Sequence, residues 1–135
     1  MKVRLLLLIA AFSLCFGCTS EPTYTVSFCD QKEMEACPPE AQQFTLGKRV
    51  YVKLEAENGF GSIRKLTGTI FKLREEAEKH KMGSKDFELT PDQDFIIQDI
   101  PFNEFGMQAL GTFEIVFTDE NERIVATEEV TIVQP

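Results

Sequence analysis

The chain has 135 residues, a formal net charge of −8, 43% apolar residues and 27% charged ones. These proportions are those of a folded single domain and exclude global disorder. The acidic balance argues against nucleic-acid binding, which needs clustered Lys and Arg to neutralise phosphate.

Residues 1–17 read as a cleaved leader. Lys2 and Arg4 supply a positive start, and Leu5 to Leu14 form an apolar stretch of ten positions broken only by Ser13. Ten helical residues cover only about half of a hydrocarbon core, so the stretch reads as a signal peptide rather than a span. Cys15-Phe16-Gly17-Cys18 resembles the lipobox of bacterial lipoproteins. Gly17 is the small residue that the pattern places before the modified cysteine; Cys15 and Phe16 depart from its preferences. The resemblance implies lipidation at Cys18, an anchor of several acyl chains in the membrane and a place in the bacterial cell envelope. Thr19 and Ser20 follow Cys18 in place of the Asp that favours inner-membrane retention, which by the same resemblance points to the outer membrane. Residues 18–23 then form the lipidated cysteine and a short tether, and residues 24–135 the folded domain. Once Lys2 and Arg4 leave with the leader, 12 basic residues face 22 acidic ones, a net −10 that keeps the domain soluble.

Of the four cysteines, Cys29 and Cys37 remain after export and acylation. An even pair in an oxidising compartment suggests a disulfide, whose short loop would contribute about 2.5 kcal/mol. Seven intervening residues do not suit a Cys-x-x-Cys redox pair, and a single histidine in the chain leaves a zinc set incomplete.

From Tyr24 onward the periodicity is mainly two. The expected strands are Tyr24–Cys29, Arg49–Glu55, Leu66–Leu73, a short edge strand at Phe87–Leu89, then Phe95–Ile100, Phe113–Thr118 and Ile124–Val133, the last with a bulge near Glu128. In Arg49–Glu55, Val50, Val52 and Leu54 share one face. Asp30 to Gln43 is polar, carries Pro38-Pro39 and cannot be a central strand. Arg74 to Met82 has helical composition but no apolar stripe, which predicts a single helical turn or a charged loop. Roughly seven short strands without βαβ alternation predict an all-β antiparallel sandwich. Ten phenylalanines follow the leader, enough aromatic surface to form the layer between two sheets.

Leu110-Gly111-Thr112-Phe113 and Val130-Thr131-Ile132-Val133 resemble the final hairpin of immunoglobulin-like and macroglobulin-type β-sandwiches. That resemblance implies an immunoglobulin-like architecture. The chain has no Trp, and Phe113 stands where such corners often carry Tyr, so no tyrosine-corner hydrogen bond can form there.

Catalytic signals are weak. His80, the single histidine, sits in the charged run Glu78-Lys79-His80-Lys81 with no nucleophile fixed beside it in sequence. Acid pairs such as Glu75 and Glu76 lack any sign of a cleft. Asp119, Asn121 and Glu122, or Asp92 and Asp94, supply hard oxygen ligands without a recognised calcium spacing, and suit turns equally well. The expectation is a non-catalytic module with no cofactor and no metal, which binds an envelope protein through loops or an edge strand. Phe60, between Gly59 and Gly61, is the candidate contact anchor. The alternative is a periplasmic inhibitor of a basic enzyme such as lysozyme, to which the acidic charge is suited. Thr67-Gly68-Thr69-Ile70-Phe71 is similar in spacing to the Ser-Gly-x-x-Tyr motif of the membrane-bound lysozyme inhibitor family, with both key side chains altered.

Overall fold

The chain pairs into eight strands, most of them with β-branched or aromatic residues at alternate positions. The computed structural model describes residues 23–135; the leader and Cys18 lie outside the described residues. The strands are β1 (Tyr24–Cys29), β2 (Gln43–Thr45), β3 (Val50–Ala56), β4 (Lys65–Leu73), β5 (Lys79–Glu88), β6 (Phe95–Ile100), β7 (Gly111–Asp119) and β8 (Ile124–Val133). One sheet has the order β1-β3-β6 and the other β2-β8-β7-β4-β5. All pairings are antiparallel except that of β2 with β8.

The alternation read in β3 is the alternation of the core. Val50, Val52 and Leu54 are buried, and Phe28, Ile96 and Ile100 join them from the same sheet. Phe44, Leu66, Phe113, Ile115, Phe117, Val130 and Ile132 face them from the other. Six of the ten phenylalanines after the leader are buried in this layer: Phe28, Phe44, Phe60, Phe102, Phe113 and Phe117. Both sheets and this core close within residues 24–133, so the segment carries what a domain needs to fold by itself.

Four features differ from the sequence reading. Arg74 to Met82 is neither a helix nor a loop throughout. A 3-10 turn at Glu75–Ala77 reverses the chain, with Glu76 and Ala77 at φ of 62° and 60°, and β5 begins at Lys79. The expected strand at Phe87–Leu89 is the far end of this ten-residue strand. An edge strand can be charged along its length because β4 supplies its hydrogen-bond ladder, and lysines on a free edge discourage pairing with other chains. β2 follows the polar Asp30–Gln43 segment as three residues added to the edge of β8. The bulge expected near Glu128 lies elsewhere: the register shifts where Phe117 faces Ala126 and Thr118 faces Ile124, leaving Val125 unpaired. Glu128 stays in register opposite Ile115. β2 reaches only Thr131–Val133, so the neighbourhood of Glu128 is open, and its carboxylate accepts a 2.6 Å hydrogen bond from Gln42. A charge on the inward side of a strand needs no bulge where the side of the sandwich is open to water.

Candidate functional site: the open side between β5 and β6

Phe60 is not a surface anchor. Gly59 (φ 78°) and Gly61 (φ 60°) turn the chain so that the ring folds under it, 3% exposed and stacked on Tyr24 at a centroid distance of 6.1 Å. The enclosure acts on Tyr24 as well: burial, and then the charge of Asp119, raise its phenol pKa above the ordinary value. Two glycines at positive φ let the chain reverse tightly enough for an aromatic at a turn to become core.

Cys29 and Cys37 are joined as a disulfide. Asp30 lies beside them, the one cluster of ligand-type side chains found among the described residues, but both sulfurs are committed to each other and offer no thiolate. His80 is exposed on β5 opposite Lys72, and no hydrogen bond or ion pair joins it to another side chain among the described residues. Asp119 is occupied by its own turn: Oδ1 accepts the backbone N–H groups of Asn121 at 2.8 Å and Arg123 at 3.0 Å.

The segment Thr67 to Phe71 is also used within the fold. The Thr67 hydroxyl donates to Asp86 Oδ1 at 2.7 Å, and Lys65 Nζ lies 3.4 Å from Oδ2. The hydrogen bond from Thr67, then those from Lys65 and its charge, hold the Asp86 carboxyl below its ordinary pKa of 3.8. A carboxylate lowered in the folded state contributes stability that is present above its unfolded pKa and is lost as pH falls through the folded value. Thr67→Val is therefore expected to raise the Asp86 pKa towards 3.8, read by NMR titration of its side-chain carboxyl. An unmoved titration curve would show that Lys65 alone sets it.

The distinctive geometry lies where the two sheets end side by side. β5 closes one sheet and β6 the other, and among the described residues neither has a second strand partner. Between them a cleft of about 500 Å³ leads into the sandwich, with Val52, Ile70, Ile115 and Phe117 in its walls. Register explains why it is there. On the inward face of the β4–β5 pair, Leu66 stands opposite Phe87, Gly68 opposite Lys85, and Ile70 opposite Gly83. Two glycines and a lysine thus occupy positions that apolar side chains would fill in a closed sandwich. A methyl group at Gly68 would press on the Phe117 and Phe87 rings at 3.2 and 3.3 Å, whereas one at Gly83 would meet nothing within 4 Å. Lys85 reaches across the mouth and donates to Gln98 Oε1 on β6 at 2.8 Å, a polar latch between the sheets.

On the outward face of β6, Phe95 is 45% exposed and Ile97 38%. They stand opposite Glu55 and Lys53 of β3, and Lys53 Nζ lies 5.2 Å from the Phe95 ring centroid. Neither the cleft nor this apolar pair stood out in the sequence. The available signal was a glycine at the inward parity of each strand, Gly68 and Gly83, but they become neighbours only when β5 is recognised as a strand.

No family model matches the chain, and no curated protein matches it. Among solved structures, an immunoglobulin-like protein from Pseudomonas aeruginosa is similar with a TM-score of 0.55 and 11% identity, over 86% of this chain and 99% of that one. The fold is an immunoglobulin-like β-sandwich. A superoxide reductase from Ignicoccus hospitalis has a TM-score of 0.48 and 9% identity, over 82% of this chain and 80% of its own. A β-glucosidase from Listeria innocua matches with a TM-score of 0.41 and 10% identity, over 84% of this chain but 16% of the enzyme. At such identities the likeness is one of fold alone.

Proposed function

We propose that the protein is a non-catalytic binding module of the bacterial cell envelope, tethered to the outer membrane through lipid on Cys18, and that it engages an envelope protein through the free edge of β6. The exposed pair Phe95 and Ile97 on the terminal strand of the smaller sheet, whose outer edge is unpaired among the described residues, carries this reading. A free edge offers unpaired backbone donors and acceptors, and apolar side chains beside it add desolvation energy when a partner strand is laid along it. The lipobox-like residues ending in Cys18 support the tether, and the disulfide suits an oxidising compartment.

Two experiments test the two halves. Labelled palmitate is expected to be incorporated in the wild type and lost in Cys18→Ser; labelling that persists in the variant, or is absent from both, overturns the anchor. A photocrosslinking amino acid at position 97 is expected to capture one dominant envelope protein in cells, and Phe95→Glu is expected to reduce that capture at least tenfold while lowering the thermal midpoint by only a few degrees. Capture that is absent, or indifferent to Phe95→Glu, overturns the β6 edge. Inhibition of lysozyme at micromolar protein, unaffected by Phe95→Glu, would favour the alternative inhibitor role.

A further inference from the structure

We propose that the cleft between β5 and β6 binds a free single-chain fatty acid, with the hydrocarbon inside the sandwich and the carboxylate on Lys85. The proposal goes beyond the protein-binding reading and does not rest on it: it uses the inward-facing side chains of β6 and β5, whereas that reading uses the edge backbone of β6 and the outward pair Phe95 and Ile97. The volume, about 500 Å³, falls within the range of small-molecule pockets. Its walls are mainly apolar: Val52 comes from one sheet, and Ile70, Ile115 and Phe117 from the other. At Gly83 the missing side chain leaves open space, with nothing within 4 Å of a Cβ built there, whereas at Gly68 it admits the Phe117 and Phe87 rings that form part of the wall. Interiors are otherwise packed like organic crystals, so a void of this size with apolar walls and an open mouth is shaped for an apolar occupant.

The mouth determines the head group. Lys85 occupies an inward position, opposite Gly68, so its ammonium stands over the apolar cleft rather than over the outer surface. Its one hydrogen bond among the described residues goes to the neutral Gln98 amide, it lies 5.8 Å from the Phe87 ring, and no carboxylate comes within ion-pair distance of it. Two of its three N–H donors are thus free for an incoming carboxylate. Two acids also border the opening. Asp99 stands opposite Tyr51 at the outward parity of β6, and its carboxylate accepts from Gln98 Nε2 at 3.0 Å. Glu104 borders the opening in the segment after β6, next to Phe105. Lys85 is the charged group aligned with the apolar interior, which sets the sign of the ligand.

Titration calorimetry with dodecanoate tests this on residues 18–135 carrying Cys18→Ser, so that no acyl chain of the protein's own can fill the cleft. One saturable site per chain is expected, with a dissociation constant below about 100 μM. Gly83→Val places its branched side chain where a Cβ meets nothing within 4 Å, narrowing the cleft, and is expected to weaken dodecanoate at least tenfold while the unfolding midpoint holds or rises. Lys85→Met keeps the stem and removes the charge; it is expected to weaken dodecanoate about tenfold and to leave uncharged dodecanol unchanged. Any of three results overturns the proposal: no saturable binding, equal binding by the wild type and Gly83→Val, or tighter binding of dodecylammonium than of dodecanoate. Gly83→Val is expected to retain crosslinking from position 97, so failure of the cleft and failure of the β6 edge are separately visible.

Discussion

Phe113→Ala is expected to lower the free energy of unfolding by about 3–5 kcal/mol. Phe113 lies in β7, one of the inner strands of the larger sheet, and is completely buried. Its ring meets Phe102 at 4.9 Å and Phe105 at 6.0 Å between centroids, and Phe102 meets Phe105 edge-on at 5.9 Å. The segment Phe102–Gln108, which crosses from β6 in one sheet to β7 in the other, is therefore pinned by this trio. Truncation removes the transfer energy of the ring and leaves a hole that three strands and a short turn cannot all collapse into. Urea unfolding monitored by circular dichroism measures the loss, with Phe95→Ala as the contrast: the Phe95 ring is half exposed, and its loss is expected to cost under about 1 kcal/mol. Equal losses at the two positions would contradict the burial on which the sandwich is built.

Removing the disulfide is expected to have the next largest effect. Cys29 ends β1 and is fully buried, and Cys37 brings the polar segment after it back onto the sheet. The bond closes a loop with a sequence separation of 8, for which the lost freedom of the unfolded chain corresponds to about 2.5 kcal/mol. The Cys29→Ala, Cys37→Ala double variant should unfold at correspondingly lower urea, and dithiothreitol should bring the wild type to the same midpoint. A wild type indifferent to reductant would mean that the two cysteines are free in solution. The fold would survive the change, because the segment 30–37 contributes no fully buried side chain to the core.

Strands that bury one face were legible because burial writes a period of two into the chain. β1, β6 and β8 begin and end at the expected residues, and the inward face of β3 is the one read from Val50, Val52 and Leu54. β5 was not legible for the converse reason. Its residues Lys79, His80, Lys81, Ser84, Lys85 and Asp86 are exposed, so no apolar rhythm marks it; what makes it a strand is the unpaired edge of β4. β2 exists on the same terms beside β8. Phe60 illustrates a further difficulty. Glycines on either side of an aromatic are compatible with presenting it or with tucking it in, and the neighbour that decides, Tyr24, is far away in the chain.

Composition and alternation alone determined that this is an all-β chain with a phenylalanine-rich layer between two sheets, because burying alternate residues is the one way such segments can remove their apolar surface from water. The pairing of β4 with β5 decided what no local pattern contains. It set Gly68 and Gly83 on one face with Lys85, and so left the sandwich open on that side. A void is a property of neighbours from different strands, and register, rather than the identity of any single residue, creates it.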